Sequence, residues 1–367
     1  MFSLEILLFI FVLHLFGGLL IENLSSRYFA NVCNFLLLII ILILSLGVTK
    51  MADWEMYRWF FKLENEQTDF VFYRLSVLFN SMHLGFIELF QFHIIVTALI
   101  NYFLVTRFTK NYFYVVLAFM ILNYVHSVNQ IRYFLGFPIL CLGFYYLFLN
   151  KKITLSIGLF ILACLCHSAL SVLLILIPLY YFIPKKKFLN LILIGSVLII
   201  AIIFIIFRFN LAGKFNHFGD YLMEENLTSL VGGLYTSFPY ILNLGFLFYL
   251  NRSILKIFPE YEDESEYIFL YKISFFSALF IPVSFIIDIL GHRYVIPFHI
   301  FWCIYFLYLT KDLEHKNRTI KFLMFGVIQI VSAMFFYIFP DYVLENNHYL
   351  NELDTMITSI KYLKDIL

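Results

Sequence analysis

Apolar residues fall along this chain in long, nearly unbroken runs separated by short polar breaks, with little of the strict alternation that marks strands. The runs predict twelve helices, near residues 3–21, 29–48, 86–105, 111–126, 132–149, 153–166, 168–183, 188–207, 232–250, 267–288, 292–310 and 320–339. Crossing a hydrocarbon core of about 30 Å takes about 20 apolar residues, so the pair between 153 and 183 is short for two crossings. As one helix it would extend about 46 Å at 1.5 Å per residue, too long for one crossing without steep tilt. The flanks favour a hairpin. Lys151 and Lys152 precede the stretch and Lys185, Lys186 and Lys187 follow it, and a hairpin returns both basic clusters to one side of the membrane. The pattern therefore predicts an all-α polytopic integral membrane protein of about twelve transmembrane helices. A single helical domain spans 1–340, with a polar outer loop near 50–85. The tail 341–367 carries Leu350, Leu353, Met356, Ile357, Ile360 and Leu363 at helical spacing, the pattern of an amphipathic surface helix.

Composition agrees with this class. The chain is 62% hydrophobic and only 13% charged, with 47 Phe and 26 Tyr, which excludes an ordinary soluble globule. Its first run lacks a basic leader and a small-residue cleavage site, so it reads as a retained span. Nothing points to nucleic acid. Most of the aromatic residues are expected to serve helix packing and interfacial belts.

Charge orients the spans. The loops after spans 1, 3, 5, 7, 9 and 11 hold Arg27; Arg107 and Lys110; Lys151 and Lys152; Lys185 to Lys187; Arg252 and Lys256; and Lys311, Lys316, Arg318 and Lys321. These are 14 of the 25 basic residues, which makes this face cytoplasmic and puts both termini outside. Lys272, just inside span 10, is expected to snorkel to the same face. The outer face receives Asp53, Tyr57 and Arg58, the stretch from His126 to Arg132, His167, Asp220 and Glu224, and Asp288, His292 and Arg293.

An arginine in a bilayer costs about 3 kcal/mol on insertion scales, so Arg132 and Arg293 need a reason. Each is flanked by Gln or His and followed by a helix with an early proline, Pro138 or Pro297, of the kind tolerated beside a cavity. Asp288 and His292 are i, i+4 neighbours if their loop is helical. His167 follows a short span and is expected in a recessed position. Cys33, Cys141, Cys164, Cys166 and Cys303 all fall within spans, without a CxxC pair, and no nucleotide-binding or metalloprotease motif occurs. No metal or cofactor is expected, and the acidic stretch from Pro259 to Tyr267 reads as a solvated cytoplasmic loop. An outward-facing pocket of arginines, histidines and carboxylates beside a bilayer suits an anionic substrate with a lipid tail. A diphosphate fits best, because arginine binds it bidentately.

Several stretches carry a family resemblance. "GVTKMADWEMY" (Gly47 to Tyr57), "TDFVFYRLSVLFNSM" (Thr68 to Met82), "NQIRYFLGFPI", "ACLCHSALSVLLILIPLYY" (Ala163 to Tyr181) and "GHRYVIPFHIFW" (Gly291 to Trp302) resemble, in order and spacing, the EpsG-type branch of the Wzy-like oligosaccharide repeat-unit polymerases. These enzymes build O-antigens, capsules and exopolysaccharides. The resemblance implies a bacterial cytoplasmic membrane protein, active at the periplasmic or extracellular face. It would transfer a growing glycan from undecaprenyl diphosphate to a lipid-linked repeat unit. Its partners would be those lipid-linked oligosaccharides, membrane lipids, and the chain-length regulator and flippase of the same pathway. Arg132 and Arg293 would stabilise the diphosphate, with His167, Asp288 or Asp53 as base. Arg58, Tyr57, His126, Gln130 and His292 would bind substrate. A lipid-linked oligosaccharide flippase and an outer-leaflet ligase remain as alternatives that use similar residues. A flippase is expected to carry matched internal repeats, and none is legible.

Overall fold

The structure is a computed structural model that describes residues 2–24, 26–64, 69–208, 230–285, 291, 293–339 and 348–360. In chain order its helices are α1 (Phe2–Val12), α2 (Gly18–Asn23), α3 (Arg27–Leu46), α4 (Trp54–Leu63), α5 (Phe70–Ser81), α6 (Phe86–Phe108), α7 (Tyr112–Asn129), α8 (Ile131–Phe148) and α9 (Ile153–Cys166). There follow α10 (Leu176–Phe182), α11 (Lys185–Arg208), α12 (Leu230–Leu255), α13 (Ser265–Phe276), α14 (Ile281–Ser284), α15 (His299–Thr310), α16 (His315–Tyr337) and α17 (His348–Ser359). Among the described residues there is no strand.

Among the described residues, eight helical stretches are long and apolar enough to cross a membrane, and three more, Ile153–Cys166, Ser168–Phe182 and Ile296–Thr310, are apolar but shorter. The chain divides into two compact units, one of Met1–Ile175 with His348–Leu367 and one of Leu176–Asn347.

In the first unit α8 lies against α9 and α6, with α7 inside the same bundle. Two glycines of α8 face α9 and the 3-10 helix after it with no room for a side chain. A Cβ on Gly143 would lie 2.4 Å from the Phe160 ring, and one on Gly136 would lie 2.4 Å from Leu170 Cδ1 and 3.0 Å from the carbonyl oxygen of Ala163. Small residues let backbones pack closely where lipid offers no hydrophobic drive. The polar loop near 50–85 is itself helical. It folds as α4 and α5, with Glu64 in the left-handed region at the end of α4 (φ 45°) and Asn80 donating to the Phe61 carbonyl (3.2 Å) and to Glu64 Oε1 (3.0 Å). Trp54 meets Phe86 and Phe90 edge-on, fixing α4 over the start of α6.

α17 completes this unit. Leu353, Met356, Ile357 and Ile360 are buried, so the amphipathic stripe is spent on packing against α1 and α7. Its polar edge is also used. Asn129 donates to Glu352 Oε2 (2.8 Å) while its own oxygen accepts from the Ala52 N–H (3.1 Å), and Ser359 Oγ accepts from the Thr49 and Lys50 N–H groups. Leu363 lies outside the described residues.

In the second unit α12 packs on α16 and α15, and α13 on α15 and α11. A buried polar chain ties the helices: His299 Nε2 to Gln329 Oε1 (2.9 Å), Gln329 to Asn243 (2.8 Å), Asn243 to Ser332 (2.9 Å). Lys272 does not snorkel to water. It is buried, donating to the carbonyls of Tyr180 (2.6 Å) and Ile183 (2.7 Å), so it satisfies the end of α10, where cations are favoured. The acidic stretch after Pro259 is likewise more than a solvated loop. It makes a 3-10 turn with Tyr261 buried, Glu262 paired with Lys185 (3.1 Å), Glu264 with Lys311 (3.3 Å), and Tyr261 donating to Asp312 (2.6 Å).

Candidate functional site

At the end of the first unit that carries α4, α5 and the α7–α8 turn, three side chains from separate parts of the sequence meet. Arg132, in the first turn of α8, donates through Nη1 to Asp69 Oδ2 at 2.8 Å. His167 Nδ1 lies 3.5 Å from the same oxygen, longer than a formed hydrogen bond but within electrostatic reach. The Ser168 N–H donates to Asp69 Oδ1 at 3.2 Å. All three side chains are mostly buried, at 16%, 11% and 17% exposure for Arg132, Asp69 and His167.

Local sequence explains each placement. Asp69 occupies the N-cap position of α5, where an aspartate ordinarily caps its own helix. Here the side chain makes no such bond. It reaches across to the N-terminus of the 3-10 helix Ser168–Ile175 instead, where a carboxylate is favoured by the helix dipole. His167 is held by the break between α9 and that 3-10 helix, in extended conformation (φ −157°, ψ 117°), which brings its ring edge-on to Tyr133 at 5.5 Å. The Arg132 guanidinium lies 5.1 Å from the Tyr57 ring centroid and 5.8 Å from those of Phe60 and Phe72. This aromatic collar stabilises a cation while excluding water.

The electrostatics follow. Burial pushes the Asp69 carboxyl up, but His167, the Arg132 charge and the Ser168 N–H together outweigh it and hold the group below its ordinary range. The pair is therefore Arg132 cation and Asp69 anion across the neutral pH range.

The residues expected from sequence sort as follows. Arg132, His167 and Tyr57 come together. Gln130 forms the turn between α7 and α8, its N–H donating to the His126 carbonyl (2.8 Å), and its Oε1 is buried without a hydrogen-bond partner. His126 is buried in the last turn of α7. Asp53 starts α4 one turn before Tyr57. Arg58 points elsewhere, half-exposed and 3.6 Å from Glu55 one turn back. Arg293 belongs to the second unit, half-buried just before the 3-10 turn Ile296–Phe298 that contains Pro297. Asp288, His292, Asp220 and Glu224 lie outside the described residues. Pro138, unlike Pro297, sits inside a continuous helix.

Asp69 was missing from the sequence-derived set. Its one signal was the acidic position at the head of the stretch Thr68 to Met82; a helix N-cap accounts for such a residue just as well. Among the described residues no three His, Cys, Asp or Glu side chains gather as a metal-binding group.

These helices and their apolar faces define an all-α, multi-pass membrane protein. A family model described as the EpsG family matches residues 30–351, and the chain belongs to that family. No curated protein and no solved structure matches it. Membership supports, at the level of class, a polysaccharide polymerase of the membrane and hence an enzyme of glycosyl transfer.

Proposed function

We propose that the chain extends a surface polysaccharide by moving a growing glycan from undecaprenyl diphosphate onto a lipid-linked repeat unit at the outer face of the cytoplasmic membrane. The observation that carries this reading is the Asp69, Arg132 and His167 constellation, assembled inside an aromatic collar in a member of this family. In the reaction the acceptor hydroxyl attacks the anomeric carbon of the donor sugar. The bond from that carbon to the diphosphate oxygen breaks, and the hydroxyl proton passes to a base.

His167 is the base in this scheme. With Nδ1 facing Asp69, a carboxylate held ionised, the ring is oriented so that Nε2 takes the proton, and the developing imidazolium is stabilised by the same carboxylate. Arg132 supplies charge to the leaving diphosphate, whose two phosphates match the planar guanidinium. Asp69 is the positioning residue for both. The Gln130 side-chain oxygen, two residues before Arg132, is buried without a hydrogen-bond partner and would accept from a sugar hydroxyl once substrate opens the site. Arg293 is assigned as a second ligand of the diphosphate, Asp288 or Asp53 as the alternative base, and Arg58, Tyr57, His126 and His292 to sugar or phosphate binding.

The test is the surface-polysaccharide length ladder of deletion cells complemented with wild type, Arg132→Ala, Arg132→Lys, Arg293→Ala or His167→Ala at matched membrane abundance. Long chains from wild type and single repeat units from the arginine and histidine variants are the expected result. Normal ladders from Arg132→Ala would overturn the assignment. Loss of all surface glycan in the deletion, with repeats retained at the cytoplasmic leaflet, would replace the polymerase by a flippase.

A further inference from the structure

At the opposite end of the first unit, where α6 finishes and α3 begins, lies a cavity of about 300 Å³ lined by Arg27, Asn31, Tyr102, Thr106, Arg107 and Lys110 among others. It is remote from Asp69. The start of α6 is fixed beside α4 by the Trp54 and Phe86 rings, whereas its last residue, Phe108, packs against Tyr145 near the end of α8.

Arg27, Arg107 and Lys110 line the cavity, and among the described residues no carboxylate does. Arg27 opens α3, whose first turn holds no acidic residue, so a positive side chain stands at the positive end of a helix dipole. That arrangement disfavours the helix on its own and favours an anion. Arg107 is stacked on the Phe103 ring at 4.1 Å, which fixes the guanidinium in place. Lys110 is already held by the Glu22 and Leu24 carbonyls at 3.0 and 3.1 Å. Glu22, at the end of α2, is buried and accepts from Asn111 at 2.8 Å. Outside the cavity, the adjoining faces of α3 and α6 present Tyr28, Phe29, Val32, Phe35 and Leu99 as exposed apolar side chains, a surface for lipid chains.

We propose that this cavity is a binding site for a phosphate-bearing anion, and that the apolar surround makes the headgroup of an acidic phospholipid its source. Arg27 and Arg107 bind the phosphate, and Lys110 holds the end of α2 against the rim. Charge, cavity and lipid-facing surface coincide at one helix end, as expected of a headgroup pocket between transmembrane helices.

The experiment uses the full-length protein in nanodiscs of phosphatidylcholine alone or with added phosphatidylglycerol. Native mass spectrometry reads retained lipid and thermal unfolding reads stability. Wild type is compared with Arg27→Ala/Arg107→Ala, with Arg27→Lys/Arg107→Lys, and with Arg74→Ala as a charge loss at the other end. Each cation near an acidic headgroup contributes about fivefold in affinity, so the double alanine variant should bind phosphatidylglycerol about 30-fold more weakly. The double lysine and Arg74→Ala variants should stay close to wild type. Inorganic phosphate and glycerol phosphate added to neutral discs identify a soluble source: stabilisation that the double alanine variant abolishes supports the site with free phosphate as ligand. Equal phosphatidylglycerol retention in wild type and the double alanine variant, with no response to either soluble phosphate, overturns the proposal. If the double alanine variant does not fold, Arg107→Gln alone provides the same comparison.

Discussion

Asp69 is the residue on which the site turns, because two positive or polarisable partners share one of its oxygens. Replacing it by Asn keeps the shape and leaves Arg132 without a counter-charge, which for a largely buried pair costs on the order of 3 kcal/mol. The pH dependence has a definite sign. The folded group titrates below its unfolded value, so its stabilisation is present above the unfolded value of about 3.9 and is lost as pH falls through the folded one. Between neutral and mildly acidic pH, Asp69 therefore gives no slope. Thermal unfolding of the purified protein should show wild type well above Asp69→Asn at neutral pH and the two converging below about pH 4. A constant gap across that range would contradict the ionised pair. At the same scale, Arg132→Lys should lose polymer length nearly as fully as Arg132→Ala, because a lysine keeps the charge and loses the planar two-pronged contact.

At the scale of the element, the contact of α8 with α9 sets where His167 stands. Gly136→Ala drives a methyl into Leu170 and the Ala163 carbonyl, beside the break that holds His167, and should cost about 1–3 kcal/mol in thermal stability. It should also shorten the polysaccharide ladder. Gly158→Ala is the matched control, since nothing lies within 4 Å of the new Cβ, and helix propensity alone predicts stabilisation of up to about 1 kcal/mol. Equal stability in the two variants would show that the glycine contact does not position the histidine. The tail helix gives a second element-level test. Glu352→Ala removes the acceptor for Asn129, which also holds the Ala52 N–H, and should lower activity through the turn that carries Gln130 and Arg132. Glu352→Gln keeps an acceptor oxygen and should restore it.

For the whole molecule, the distribution of basic residues predicts that the Asp69 site and both termini face away from the cytoplasm. The five cysteines are all free, so a variant lacking them can carry single new cysteines. Ser81→Cys should react with a membrane-impermeant maleimide in intact cells, and Lys152→Cys only after permeabilisation. The reverse pattern would invert the topology.

Legibility from sequence differed between these scales for physical reasons. Helix class and the approximate position of the spans could be read directly, and Arg132 and His167 stood out as candidates, because long apolar runs and a charge inside them leave few alternatives in a bilayer. The two helices inside the polar stretch near 50–85 could not be read in the same way. α4 and α5 are short, and they are fixed by ring contacts and by Asn80 rather than by a hydrophobic period. Lys272 was misjudged for a related reason: a lysine near a helix end is expected to seek water, and the carbonyls that receive it belong to residues about ninety positions earlier in the chain.

The sequence by itself determined the class of this protein, since its apolar content and spacing admit few structures other than membrane helices, and it named the cation that required a partner. Tertiary structure alone decided which partner. The carboxylate of Asp69 is separated from Arg132 by 63 positions and from Ser168 by 99, and it satisfies them in preference to capping its own helix. A local pattern records which groups need charge or hydrogen bonds. The choice among distant groups that can supply them is made only when packing brings those groups within about 3 Å and removes the competing water.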